Sequence, residues 1–204
     1  VLFTSLSGIG QTNLIPNRNW KLVQNHISKK KDSSVILSLG AEGKIKINLG
    51  SGFADRSKEI PYTDLSLCTI GSITKPMTAT AILRLSDKGK LGLHDKITVY
   101  FKQVPKDKQG ITIHHLLTHS SGLPGAIGDD YEKINAENFQ ARAWEKPLFF
   151  TPGEGYEYSN VGYSLLGMII EQVSGQSYSQ FLQENIFQPA GMTTAGYRNP
   201  AADY

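Results

Sequence analysis

One cysteine in 204 residues, Cys68, excludes an internal disulfide and leaves the redox compartment open. With Leu67 and Ile70 as neighbours it reads as a small buried hydrophobe, since a thiol nucleophile would want a histidine or a cation at its side. Long apolar runs are also missing: none approaches the ~20 residues of a membrane span. Charge of one sign is scarce, with 21 Lys and Arg against 18 Asp and Glu for a formal +3. The one basic run, Lys29-Lys30-Lys31, has no interleaved aromatics, which argues against nucleic acid as a partner. The start, Val1-Leu2-Phe3, has neither a methionine nor a basic n-region, and whether an export signal has been removed stays open. What remains, 39% apolar and 19% charged residues, is the composition of an ordinary globular protein long enough to bury a core in one domain or two small ones.

The richest stretch is Cys68-Thr69-Ile70-Gly71-Ser72-Ile73-Thr74-Lys75-Pro76-Met77. If a helix starts at Ser72, the i, i+3 spacing places the Ser72 hydroxyl and the Lys75 amine on one face. A serine hydroxyl attacks poorly until a neighbour takes its proton, and a lysine serves as that neighbour only where its surroundings favour the neutral amine. The first turn of a helix adds unpaired N–H groups and a partial positive charge, both favourable to oxygen anions. Gly71 allows a tight turn before the serine, and Met77, Ala81, Ile82 and Leu85 recur on one face until Gly89 stops the helix. Pro76 counts against a perfect start, at small cost in a first turn. A second S-x-x-K, Ser28 to Lys31, lies in a polar run with no apolar face and reads as solvated surface. Taken alone, the Ser72 stretch fits either a nucleophile beside its base or an ordinary N-cap serine.

Along the rest of the chain, Gly8-Ile9-Gly10 reads as a flexible turn, and Trp20, Val23 and Ile27 have helical spacing. Val35-Ile36-Leu37, the turn Ala41-Glu42-Gly43-Lys44 and the alternating Ile45, Ile47 and Leu49 predict a β-hairpin, which two strands cannot complete by themselves. Leu91 to Ile97 is a loop with apolar anchors, and Ile111 to Pro124 reads as a short apolar helix closed by Gly122 and Pro124. His115 and His119 stand at i, i+4, but without H-E-x-x-H or nearby carboxylates they read as bracing histidines, with a metal hydrolase as the weaker alternative. Asn135 starts a helix over Ala136 to Trp144. After Pro152-Gly153 and the aromatics to Tyr158, a strongly apolar helix carries Val161, Leu165, Met168, Ile169 and Val173 and ends at Ser174-Gly175, and a last helix runs from Tyr178 to Phe187.

Four pieces in order, Ile70-Gly71-Ser72-Ile73-Thr74-Lys75, Leu116 to Leu123, Pro152-Gly153 followed by Tyr158-Ser159-Asn160, and Pro189-Ala190-Gly191-Met192, make the chain similar to the serine β-lactamase and penicillin-binding family. It resembles most the branch of class C β-lactamases, D,D-peptidases and family VIII esterases. Each piece alone is common: Tyr197-Arg198-Asn199 repeats Y-x-N with no helix after it.

The resemblance implies an α+β fold, a helical region packed on an antiparallel sheet, with residues 1–70 as the N-terminal part of the sheet domain, 71–192 as the helical domain and 193–204 as a tail. It implies Ser72 as the acylated nucleophile, Lys75 as its proton partner, Tyr158 as a second proton relay and Asn160 as a hydrogen-bond donor to substrate and lysine. Without it, Tyr158 is an aromatic ahead of a helix and Asn160 an N-cap. It further implies a small-molecule or peptide substrate with an amide, lactam or ester, no cofactor, no metal, and a periplasmic or secreted location. The alternative within the same fold is a non-catalytic penicillin sensor or scaffold. The family's third motif, Lys or His, any residue, then Gly, sits on a strand after the helical region and supplies an oxyanion donor. Here Lys90-Leu91-Gly92 comes too early to be it. The sheet is therefore expected to be incomplete, and the 204 residues to be a piece of a longer protein, impaired by themselves.

Overall fold

The computed structural model describes residues 2–3, 22–23, 25–27, 33–129 and 132–197, and these fall in two compact units, one of the described residues up to 70 with 194–197 and one of those from 71 to 193. The first unit carries the strands β1 (Leu2–Phe3), β2 (Val35–Ala41), β3 (Lys44–Ser51), β4 (Phe53–Asp55), β5 (Ile60–Pro61) and β6 (Cys68–Thr69). They pair antiparallel as β1 with β6, β2 with β3 and β4 with β5.

The β2–β3 pair is the expected hairpin. Glu42 and Gly43 both take positive φ (53° and 69°), the two-residue turn whose twist matches the strands it joins. Leu37 faces Leu49 and Leu39 faces Ile47, with a bulge after Leu39. Among the described residues no third strand joins this hairpin. Of the helix expected over Trp20 to Ile27, Leu22, Val23 and Asn25 to Ile27 are helical, while Trp20 lies outside the described residues, as do Gly8-Ile9-Gly10 and the Ser28 to Lys31 run.

The second unit is helical: α1 (Thr74–Asp87), α2 (Ile113–Leu117), α3 (Ala136–Glu145), α4 (Asn160–Ser174) and α5 (Tyr178–Leu182), which passes into a π turn over Gln183–Phe187. Its centre is α4, which packs against the other four helices. The reason is in its sequence: Val161, Leu165, Leu166, Ile169 and Ile170 are all buried, a stripe wide enough to face several partners at once. They meet Ala81, Ile82 and Leu85 of α1, Ile113 and Leu116 of α2 and Phe181 and Leu182 of α5 in one core. Each buried Leu or Ile contributes about 1.5–3 kcal/mol, so α4 holds the unit together. No helix among the described residues is long and apolar enough to cross a membrane.

Three boundaries differ from expectation. α1 begins at Thr74, because Gly71–Ile73 tightens into a 3-10 turn that Gly71 opens with φ 50°. Pro76 then falls in the first turn, where a missing N–H costs no intrahelical bond. The end is as expected: Gly89 donates to the Ser86 carbonyl (2.8 Å) and Lys90 to that of Leu85 (2.9 Å). The helix expected from Ile111 to Pro124 is one short stretch, since His119 (φ 59°) and Gly122 (φ 77°) turn the chain out of it. The last helix, expected unbroken from Tyr178 to Phe187, changes to π geometry at Gln183.

Candidate active site

Ser72 sits in the 3-10 turn and Lys75 in the first turn of α1, and Lys75 Nζ donates to Ser72 Oγ at 3.2 Å. From 86 residues along the chain the Tyr158 phenol donates to the same oxygen at 2.7 Å. Lys75 Nζ also donates to Asn160 Oδ1 at 2.6 Å, and lies 4.6 Å from the centre of the Tyr158 ring and 5.5 Å from that of Tyr163. The four residues singled out in the sequence thus form one hydrogen-bonded cluster. It is open to solvent on one side, with Ser72 and Asn160 exposed and Tyr158 41% exposed. Hydrogen bonding with Lys75, then with Ser72, holds the Tyr158 phenol below the ordinary tyrosine range. Burial, then the neighbouring Tyr158, pushes Tyr163 the other way.

The backbone that presents Tyr158 and Asn160 is held by a loop pairing that local sequence does not announce. Residues 149–160 run beside residues 119–125: Phe149 N–H donates to the Gly122 carbonyl (2.9 Å), Gly153 to Ser120 (2.8 Å), Glu157 to His119 (2.9 Å) and Asn160 to Gly125 (3.0 Å). The motif from Leu116 to Leu123 therefore serves as the rail on which the Tyr158 segment lies. Gly122 has to be glycine here, because at its positive φ a Cβ would run into the Phe150 carbonyl oxygen.

Asn160 does not cap α4, as the reading of it as an N-cap would have it. Ser159 does: its Oγ accepts the Gly162 N–H (3.0 Å) and donates to the Pro124 carbonyl (2.7 Å), with the residue only 1% exposed. That leaves the Asn160 side chain, one position on, free of capping and turned to Lys75. A serine ahead of a long apolar helix is an N-cap signal in the sequence, one that the neighbouring asparagine masks. Ser159→Ala is expected to destabilise the folded chain by about 1–3 kcal/mol, read as a lower urea midpoint at unchanged slope.

The histidines brace backbone. His115 completes a capping box, its Nδ1 accepting the Thr112 N–H (3.3 Å) while its own N–H donates to Thr112 Oγ1 (3.2 Å). His119 Nδ1 accepts the Ser159 N–H at 3.0 Å. Among the described residues no three His, Cys, Asp or Glu side chains gather to hold a metal ion. Beside the cluster a cavity of about 190 Å³ opens, lined by Asn160, Val161, Ile127, Ile134, Phe139 and the Arg142 guanidinium, which donates to Glu132 at 2.7 Å.

Helices around α4 with short antiparallel strand pairs make an α+β chain of the β-lactamase/transpeptidase-like fold. The family description Beta-lactamase matches residues 22–203, and the chain belongs to that family. Penicillin-binding protein 4* of Bacillus subtilis (strain 168) is 39% identical over 163 residues, covering 76% of this chain and 36% of that protein. An octameric penicillin-binding protein homologue from Pyrococcus abyssi superposes with a TM-score of 0.71 at 33% identity, over 86% of this chain and 43% of that one. The D-amino acid amidase from Ochrobactrum anthropi SV3, solved with L-phenylalanine, gives 0.72 at 32% identity, over 83% and 50%. The chain spans just over a third of the length of the curated relatives it matches.

Proposed function

We propose that this chain carries the acylation centre of a serine acyl-enzyme hydrolase acting on an amide, a lactam or an ester. The observation that carries the reading is the pair of distances to Ser72 Oγ, 2.7 Å from the Tyr158 phenol and 3.2 Å from Lys75 Nζ. Ser72 Oγ attacks the carbonyl carbon, and its proton passes through Tyr158 and Lys75 to the leaving nitrogen or oxygen as the bond to that atom breaks. Water then attacks the ester of Ser72, and its proton passes through the same pair to Ser72 Oγ as the acyl C–O bond breaks, so that the acid leaves with the serine hydroxyl restored. Asn160 anchors Lys75 through Oδ1 and offers its amide N–H to the substrate, and the cavity beside it suits an acyl side chain of modest size. No cofactor enters these steps.

The resemblance to the family places a second oxyanion donor on a strand for which this sequence has no candidate after Tyr158. Absence of such a donor costs about 10²- to 10³-fold, so the 204 residues alone are expected to turn over slowly beside a longer protein that carries it. The substrate is read as a small molecule or peptide met outside the cytoplasm, in the periplasm or after secretion, the usual place of proteins like the relatives above.

Incubation with a fluorescent penicillin or a fluorophosphonate, followed by peptide mass mapping and timed release, tests the proposal. A label on Ser72 that leaves with time is the expected result. A folded protein that takes no label on Ser72 overturns it in favour of a scaffold, and a lasting label marks a penicillin-binding sensor or a peptidase in place of a lactamase or esterase.

A further inference from the structure

Tyr158 stands on an irregular segment ahead of α4, so the direction of its phenol depends on what grips the chain on either side. His119 grips both sides. Its carbonyl oxygen accepts the Glu157 N–H at 2.9 Å and its Nδ1 accepts the Ser159 N–H at 3.0 Å. Its ring packs against the phenol between them, with ring centres 4.6 Å apart and planes 33° from parallel, and against Tyr163 at 5.0 Å and 35°. It does this from left-handed backbone, φ 59°, a strained state for histidine that persists only where the surroundings hold it.

An accepting Nδ1 requires a neutral imidazole with its proton on Nε2. Burial, then the Lys75 charge, holds His119 below the usual histidine range, so the neutral form is the one present at pH 7. The titratable groups that face it are Lys75 from α1, Tyr163 from α4, and Tyr156 and Tyr158 from the segment alongside. None of them is a carboxylate, so at acid pH an imidazolium finds no opposite charge among them. It also has no lone pair left for Ser159.

We propose that His119 is the positioning residue of the Tyr158 phenol, a neutral latch whose protonation frees the Ser159 amide, turns the phenol from Ser72 and shuts acylation down. This rests on the reading of Tyr158 as the proton relay of Ser72. The latch is chemically separable from that reading, because the hydrogen bonds to Ser72 Oγ come from Lys75 and Tyr158, and those of His119 go to backbone.

The test compares His119→Asn with His119→Ala in the intact protein. Asparagine tolerates left-handed backbone and keeps an acceptor near the Nδ1 position, but does not titrate; alanine keeps neither. The rate of Ser72 labelling by a fluorescent penicillin is followed from about pH 8 down to the lowest pH at which the protein stays folded, well below the ordinary imidazole value of about 6.5. At the neutral end His119→Ala is expected to label about 10²-fold slower than wild type, with His119→Asn recovering most of that loss. As the pH falls through the lowered His119 value, below the ordinary imidazole range, the wild-type rate is expected to fall with one proton more than that of His119→Asn, so their ratio drops by up to about tenfold per pH unit.

Parallel pH profiles for wild type and His119→Asn overturn the latch, and so does a His119→Ala protein that labels at the wild-type rate. Should the alanine variant fail to fold, the comparison of slopes still decides. Tyr158→Phe in the same assay separates the two ideas. A wild-type rate there sinks the reading of Tyr158 itself, whereas a slowed Tyr158→Phe with parallel His119→Asn and wild-type profiles sinks only the latch.

Discussion

Ser72→Ala is expected to abolish covalent labelling and to lower hydrolysis by about 10⁴- to 10⁶-fold, the scale seen when the attacking atom of a cooperating set is removed. The loss is large because nothing else in the cluster replaces it. Lys75 and Tyr158 both point their protons at Ser72 Oγ, and Asn160 is tied to Lys75, so without that oxygen the cluster has no atom to attack with. The fold should not suffer: Ser72 is exposed, in a 3-10 turn with no buried residue. Intact mass after exposure to a fluorescent penicillin, with the thermal midpoint as control, checks both halves. A variant that still gains the label at another residue would move the nucleophile elsewhere.

Tyr158→Phe tests the proton path. It removes one oxygen and leaves the ring where Lys75 and His119 pack on it, so the expected loss of about 10²- to 10⁴-fold in kcat/KM reports proton transfer rather than packing. The sign of the pH dependence follows from the direction of the phenol's shift. Lys75 and Ser72 lower it, so the ionised phenol able to take the serine proton becomes populated at lower pH than in free tyrosine. kcat/KM should therefore rise with pH through that lowered value and level off short of about pH 10, the ordinary phenol value. Tyr158→Phe should lack this limb. A phenylalanine variant with the wild-type rate and profile would exclude the phenol from the path and leave Lys75 as sole proton acceptor.

The parts of this centre legible in the sequence are those whose physics is local. Three residues along one chain place Ser72 and Lys75 together whether the first turn is α or 3-10, so a helix that starts two residues later than expected leaves the pairing intact. The β2–β3 hairpin is readable from alternation and from a Glu-Gly turn, and α4 from its apolar stripe. Tyr158 and Asn160 are reachable only through resemblance to a family, since no spacing rule joins residues 86 apart. Ser159 is hard to single out because serine and asparagine, side by side ahead of one apolar helix, are equally good caps. That His119 braces backbone is readable from its surroundings in the chain; what it braces is not.

By itself the sequence determined the local pieces: the Ser72–Lys75 pair on one turn, the hairpin, the stop at Gly89, and an α4 too apolar to lie anywhere but the centre of its unit. Only the tertiary structure decided that the Tyr158 phenol reaches Ser72, that Asn160 turns to Lys75 while Ser159 caps, and that His119 clasps the chain on both sides of the phenol. Side-chain periodicity and capping act over a few residues and can be read along a line. The meeting of residues 119, 158 and 72 depends on the burial of α4 against α1 and α2 and on backbone hydrogen bonds between two loops, neither of which exists until the chain has folded.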